Sequence, residues 1–414
     1  MKEEILQNIQ DPGQLEKLYR SNKSRFKREF ETLYPQLHNS PLALFWHTRL
    51  GHDTDDVKWG TTKDLLPILL AVLAAGFISK FPAIFNISED YYYPRNIGFI
   101  IFPVLSAYFA WKNRLSTSNI AIMVAGMLIG LVFINLLPSS ERSDTLTLSC
   151  LHLVLFQWSI LGFAYTGGGK AKSAARLSYL KFNGDLIVMT TLIVIAGGIM
   201  SGVTIGLFSL IGFNIENFYA ENIIKSLLPA APILGAYLTQ SNPQLVGKVS
   251  PVIAKIFSPL VFIMLVIYLA AMVYSSKDPY NNREFLMIFN GLLVAVMAII
   301  FFSVAESSDT AKNKAGTVML FLLSLATIIV NCIALSAIVF RIAEWGITPN
   351  RAAVLGGNIL ILANLLLVTY HLYKVAFRGA HASVVGKTIA AYLPVYIIWT
   401  FIVTFLFPFL FGHQ

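Results

Sequence analysis

Val318–Ile342 reads VMLFLLSLATIIVNCIALSAIVFRI and carries no charged residue before Arg341. A run of this kind is long enough to cross the roughly 30 Å hydrocarbon core of a bilayer as one helix. It is not isolated. Ten further apolar segments stand on either side: Leu65–Phe85, Ile97–Trp111, Asn119–Leu137, Leu146–Tyr165, Leu186–Leu210, Ile223–Gln240, Val252–Ser275, Phe285–Val304, Ala352–Tyr373 and Ile389–Phe411. In lipid an open chain must satisfy its own backbone hydrogen bonds, so each segment is expected to be helical. The expected fold is an all-α polytopic helical membrane protein of about 11 transmembrane helices over residues 61–414.

Composition agrees. Of 414 residues, 56% are hydrophobic and 13% charged, where a soluble protein carries about 25% charged residues. A soluble enzyme and a disordered chain are both excluded on that ground. The formal charge of +9 is topological, because cytoplasmic loops collect Lys and Arg, and it does not point to nucleic acid. With the N-terminus inside, the head and inner connections hold 23 of the 31 Lys and Arg and the outer connections hold 6, with Lys80 and Lys225 inside spans. The expected topology is therefore N-terminus cytoplasmic and, with eleven spans, C-terminus outside. Cys150 and Cys332 are far apart in apolar stretches and give neither a disulfide framework nor a metal spacing.

Residues 1–60 differ from the rest. They are basic, lack the apolar h-region of a signal peptide, and read as a cytosolic head of about three short helices. Asp11–Pro12 and Ser40–Pro41 are helix-start pairs, and Gly51 is a stop signal. Leu15, Leu18 and Tyr19 share a face; so do Phe26, Phe30, Leu33 and Tyr34, and Leu42, Phe45 and Trp46. About 50 residues make a marginal core, so the head is expected to dock on a membrane surface or loop, with Lys23–Arg28 available to anionic lipid.

Catalytic and cofactor signals are sparse. Gly167–Lys170 and Gly386–Thr388 miss the P-loop spacing. His47, His52, Asp53, Asp55 and Asp56 are ligand types, but the two histidines do not stack on one helix face. No cofactor and no metal is expected, and the sequence leans away from an enzyme. Ionisable residues at mid-depth are nearly absent; His152, with Gln157 five residues on, is the exception. Asn290, Asn331, Asn358 and Asn364, with Thr190 and Thr191, are neutral polar residues whose ordinary role is an interhelical hydrogen bond. Gly198, Gly202 and Gly206, and separately Gly126 and Gly130, have the spacing of close helix packing.

Two places stand out. Pro229 and Pro232 remove two backbone donors within one turn, which predicts a kink or unwound stretch near Leu228–Pro232; the alternative is that both fall within the first turns of a helix, where proline is tolerated. The outer connection Arg341–Arg351 is short. It is expected to gather Arg341, Glu344 and Arg351, with Arg341 and Glu344 at pairing distance, Trp345 in the interfacial belt, and Asn350 as cap of the next span. With Arg95, beside Tyr91, Tyr92 and Tyr93, these residues form a candidate ligand site for an anionic headgroup. The alternative is a capped turn whose charges anchor the helix ends.

Three stretches carry a resemblance: the head DPGQLEKLYRSNKSRFKREFETLYPQL with LALFWHTRL, the segment YYYPRNIGFIIFP, and FRIAEWGITPNRAAVL. Together they resemble the bacterial membrane family called "domain of unknown function 4153". The resemblance implies a many-helix protein of a bacterial inner membrane and transfers no substrate and no catalytic residue. Two function classes follow. One is a carrier or flippase-like protein for neutral or lipid-like cargo, its partner being membrane lipid. The other is a membrane-embedded scaffold or sensor whose residues 1–60 engage a cytosolic protein partner.

Overall fold

The computed structural model describes residues 1–37, 40–52, 62–138, 143–169, 171–274, 283–307 and 314–412. Among them there are helices and no strand. The chain divides into two compact units, Met1–Trp59 and Gly60–Gln414.

The first unit holds four helices rather than three: α1 Lys2–Gln7, α2 Pro12–Ser21, α3 Lys23–Leu37 and α4 Pro41–His52. Asp11 caps α2, its carboxylate accepting from the Gly13 and Gln14 amides, and Ser40 Oγ accepts from Ala43 N at 3.4 Å. Gly51 does not stop α4, which runs on to His52. Leu15, Tyr19, Phe26, Phe30 and Trp46 are fully or nearly fully buried and form one core. Arg49 pairs with Glu16 at 2.9 Å and lies 4.7 Å over the Trp46 ring. Hydrogen bonds from Arg20 and then Arg49 hold the Glu16 carboxyl below its ordinary pKa against the opposing effect of burial. His47 stacks on Tyr34 at 3.7 Å; Asp53, Asp55 and Asp56 lie outside the described residues.

The second unit opens with α5 Thr62–Ser79, the short α6 Phe81–Phe85, α7 Glu89–Lys112, α8 Thr117–Leu136, α9 Asp144–Tyr165 and α10 Ser173–Leu210. An interrupted segment follows: α11 Glu216–Tyr219, a π-turn over Ala220–Ile224, α12 Lys225–Leu227 and α13 Ala230–Ser241. The chain closes with α14 Pro243–Tyr274, α15 Arg283–Ser307, α16 Lys314–Trp345, α17 Pro349–Arg378, α18 Ser383–Phe401, a second π-turn over Ile402–Leu406, and α19 Phe407–Phe411. One core gathers Tyr92, Phe109, Leu161, Tyr179 and Ile233 from α7, α9, α10 and α13. Another gathers Leu293, Ile300, Leu323, Val330, Leu365 and Ile389 from α15 to α18. The first half of α10 contributes to both, through Tyr179 and Leu180.

Among the described residues, six helical stretches are long and apolar enough to cross a membrane: Thr117–Leu136, Asp144–Tyr165, Ser173–Leu210, Lys314–Trp345, Pro349–Arg378 and Ser383–Phe411. The fold is that of a helical membrane protein, but the expected count of about eleven spans is not supported. The reason is visible in particular segments. Ile97–Trp111 is the apolar half of a longer helix, α7, whose other half carries Glu89, Asp90, Arg95 and Asn96 and buries the last two. Ile223–Gln240 is broken. Leu66–Ser79, Ile256–Ala270 and Phe289–Ala305 are shorter apolar helices.

The glycine signals divide. Gly126 and Gly130 do set α8 against α9: a Cβ on Gly130 would stand 2.9 Å from Leu153 Cδ1, and one on Gly126 3.3 Å from Ile160 Cδ1. Gly198, Gly202 and Gly206 have nothing within 4 Å of a built Cβ. Their neighbours Ile199, Met200, Val203 and Leu207 are exposed, so this half of α10 is largely unpacked among the described residues.

Candidate functional site

The turn expected outside is built as α16 ends at Trp345, Gly346 takes φ +75°, and α17 starts at Pro349. Only glycine adopts that left-handed backbone without steric cost. Thr348 is extended, as its position before proline requires, and its hydroxyl accepts from Arg351 N at 3.3 Å. Thr348, and not Asn350, is thus the cap of α17. Arg351 Nη1 donates to the carbonyls of Trp345 at 2.9 Å and Gly346 at 2.6 Å. These acceptors stand at the C-terminus of α16, where carbonyls lack intrahelical partners and the helix dipole is negative. Arg341 and Arg351 flank one indole, 5.2 Å and 5.7 Å from the Trp345 ring. Glu344 is exposed and forms no ion pair among the described residues, so the expected Arg341–Glu344 pair is replaced by Arg341 over Trp345.

Arg95 has the same occupation elsewhere. It is buried, donates to the Ile134 carbonyl and to the Pro138 carbonyl at 3.4 Å, and lies 4.5 Å over Tyr91. Ile134 is in the last turn of α8, so Arg95 caps a helix C-terminus as Arg351 does. Its three tyrosine neighbours follow suit: Tyr92 donates to Ile78 O at 2.8 Å, Tyr93 to Ser79 O at 3.0 Å and Tyr91 to Asn135 O at 3.1 Å. Asn96 and Asn135 exchange two amide hydrogen bonds at 2.9 and 3.0 Å. This pair was missed in the sequence reading, although two amides at the ends of apolar runs were its signal. Of the four candidate residues the structure brings Arg341 and Arg351 together on Trp345; the described partners of Arg95 lie on α7, in the last turn of α8 and just beyond it. If Arg351 works as a helix cap, Arg351→Ala lowers stability by about 1 kcal/mol. Arg351→Lys keeps most of it, since an ammonium also donates to carbonyls. Unfolding midpoints in detergent check this; equal losses for both would mean that the planar fork itself is required.

The proline-bearing segment is the other candidate: α12 gives way to α13 at Leu228–Pro229 with a π-turn before it, so that Pro229 caps α13 and Pro232 lies in its first turn, while the backbone at Leu228 and Pro229 stays in the right-handed helical region. Pro229 has no amide hydrogen to give Lys225 O, four residues back. Ser79 Oγ of α5 fills that place at 3.1 Å. Pro232 likewise leaves Leu228 O, which accepts from Ala231 N at 3.2 Å in a tighter turn. Gly76 makes the approach of α5 possible, for a Cβ there would lie 2.9 Å from Ser226 O. Ions hold the end before the break. Lys225 Nζ lies 2.9 Å from Glu89 Oε1 and 2.7 Å from Glu221 Oε2, and Lys80 Nζ donates to Glu221 O at 2.6 Å. On the far side of the break, Gly235 packs on α10, a Cβ there falling 2.8 Å from Thr190 Oγ1. The segment is thus clamped at both ends and irregular in the middle.

The neutral polar residues of the later helices bond one another. Asn358 Nδ2 donates to Asn290 Oδ1 at 2.7 Å, and Asn331 Nδ2 donates to Asn358 O at 3.2 Å. Asn364 Nδ2 donates to Tyr396 Oη at 3.0 Å, and Thr369 Oγ1 to Ser324 Oγ at 2.9 Å. Gln157 is different. It is 1% exposed, its two amide atoms have no hydrogen-bond partner among the described residues, and its side chain occupies the space a Cβ on Gly98 would need. His152 hydrogen-bonds Leu148 O of its own helix at 2.9 Å and does not join Gln157. No family model, curated protein or solved structure matches the chain.

Proposed function

We propose that the chain is a carrier or flippase-like protein for neutral or lipid-like cargo, handled where the interrupted segment Glu216–Ser241 meets α10. The observation that carries this reading is the break at Leu228–Pro229, with its freed carbonyls held by Ser79 and by a tightened turn. Irregular backbone at membrane depth is tolerated where protein or a cargo path takes over the lost hydrogen bonds. The unburied glycine-rich half of α10 gives lipid-like cargo an adjacent apolar face. Residues 1–60 inside, the C-terminus outside and a bacterial inner membrane belong to the same proposal; the first follows from the charge bias, the second from that bias only if the spans number eleven, and the last from the family resemblance.

A second reading has its own support. The amides of Asn290, Asn331 and Asn358 are engaged with one another, which suits a scaffold or sensor whose head binds a cytosolic partner. Substitution at the break separates the two. Pro229→Ala with Pro232→Ala restores two backbone donors and favours a regular helix. Reconstituted in vesicles, the double variant of a carrier is expected to lose most cargo movement while melting no earlier than the parent. Unchanged movement would remove the break from the mechanism.

A further inference from the structure

At the end of the helical unit opposite the tyrosine cluster, α7 and α13 finish side by side around a cleft of about 420 Å³. Its described lining is Tyr108, Trp111, Lys112, Arg114, Tyr237 and Ser241: two cations, three aromatic rings, three hydroxyls and no carboxylate. Lys112 Nζ donates to Gln240 Oε1 at 2.7 Å and lies 5.8 Å over the Tyr108 ring. Trp111 is 57% exposed. Asn113, between the two cations, donates to Ala164 O and Tyr165 O and so fixes the turn to the end of α9.

Two features separate this cleft from an ordinary basic helix end. The first is charge. Helix C-termini each carry about half a negative charge, so the ends of α7 and α13 together ask for one cation. Lys112 supplies it, and Arg114 is surplus. The second is backbone. Arg114 sits at φ +49° just beyond α7, where Leu115 N bonds back to Ala110 O at 3.0 Å. That is the position where helices ordinarily place glycine. An arginine held there is strained: the turn sets the left-handed backbone, but glycine would meet it at less cost, so the turn does not account for the cation.

We propose that this cleft binds a phosphate group, that of an anionic phospholipid headgroup, with Arg114 and Lys112 as the phosphate contacts and the Tyr108 and Trp111 rings at the level of the membrane interface. Guanidinium and ammonium groups both donate to phosphate oxygens, and tryptophan and tyrosine belong at the headgroup boundary. The site does not depend on the chain moving lipid; a scaffold would bind the same headgroup.

Arg114→Gly is the discriminating variant, because it removes the cation and at the same time relieves the left-handed backbone, so the fold is kept. The full chain is placed in nanodiscs of mixed phosphatidylglycerol and phosphatidylcholine, and retained lipid is read by native mass spectrometry. Loss of a direct phosphate contact, worth about 1 kcal/mol, is expected to lower phosphatidylglycerol retention at this cleft about fivefold. Lys112→Gln with Arg114→Gly lowers it further. The control is Lys374→Gln with Arg378→Gln, which removes two cations that lie over Tyr370 and Tyr373 at the end of α17, and it should retain lipid as the parent does. Inorganic phosphate supplies the other arm. If it raises the melting temperature of the parent but not of Arg114→Gly, the ligand is a soluble phosphate compound; if it does nothing while phosphatidylglycerol is retained, the ligand is lipid. Full retention by Arg114→Gly, or an equal loss in the α17 control, would overturn the site.

Discussion

Trp46→Ala is expected to unfold residues 1–52 and to leave the helices from α5 onward folded. Trp46 is 1% exposed, its ring lies 5.1 Å from Phe26 and 5.5 Å from Tyr19, and Arg49 covers its face. Truncating a buried tryptophan costs about 3–5 kcal/mol. A unit of about fifty residues holds only a few kcal/mol in total, so the loss exceeds what it has. Leu44→Ala serves as the comparison, since Leu44 is 54% exposed and surface changes stay within about 0.5 kcal/mol. Hydrogen exchange on the whole chain reads the outcome. Protection should vanish over α2, α3 and α4 in Trp46→Ala and persist over α9 and α10. Retained protection in the head would mean that its core does not rest on Trp46.

Gly184→Ala is expected to destabilise the helical unit, and Gly202→Ala is not, although both glycines lie on α10. A Cβ at Gly184 would overlap the ring of Phe302 from α15. An aromatic ring cannot give way as a flexible chain end does, so α10 and α15 must part, at a cost of about 1–3 kcal/mol. At Gly202 a Cβ meets nothing within 4 Å, and replacing a mid-helix glycine by alanine gains up to about 1 kcal/mol. Unfolding midpoints in detergent should therefore move in opposite directions. An equal loss at both positions would show that the Gly198–Gly206 stripe is packed against another surface.

That contrast also shows what sequence makes legible. Asp11–Pro12 and the Pro229 break were readable because each depends on hydrogen bonds within a few residues. The membrane character of Val318–Ile342 was readable because lipid imposes it on a single run. Glycine contacts are another matter. Gly184 and Phe302, or Gly356 and Trp399, meet only after distant helices dock, and nothing beside them in the chain announces it. The stripe at Gly198, Gly202 and Gly206 carried the local signature without the contact. The count of about eleven spans goes unsupported for a related reason: a hydropathy run does not reveal that Arg95 and Asn96, just before Ile97, are buried in protein and extend one helix. The turn between α16 and α17 was half legible. Its glycine, proline and aromatic positions fixed the shape, but spacing alone paired Arg341 with Glu344, whereas the ring of Trp345 draws both arginines. Lys225 and Glu89 stand 136 residues apart, so their ion pair was beyond local pattern altogether.

Lipid movement itself is the most direct measure of the proposed activity. The purified full chain is reconstituted into vesicles carrying a fluorescent phospholipid in both leaflets, and a membrane-impermeant reductant is added outside. A carrier for lipid-like cargo brings inner-leaflet probe to the surface, so fluorescence should fall below the plateau of protein-free vesicles, and the Pro229→Ala, Pro232→Ala variant should return it toward that plateau. Fluorescence that stops at the protein-free plateau with the folded parent chain would contradict lipid carriage and leave the scaffold reading in its place.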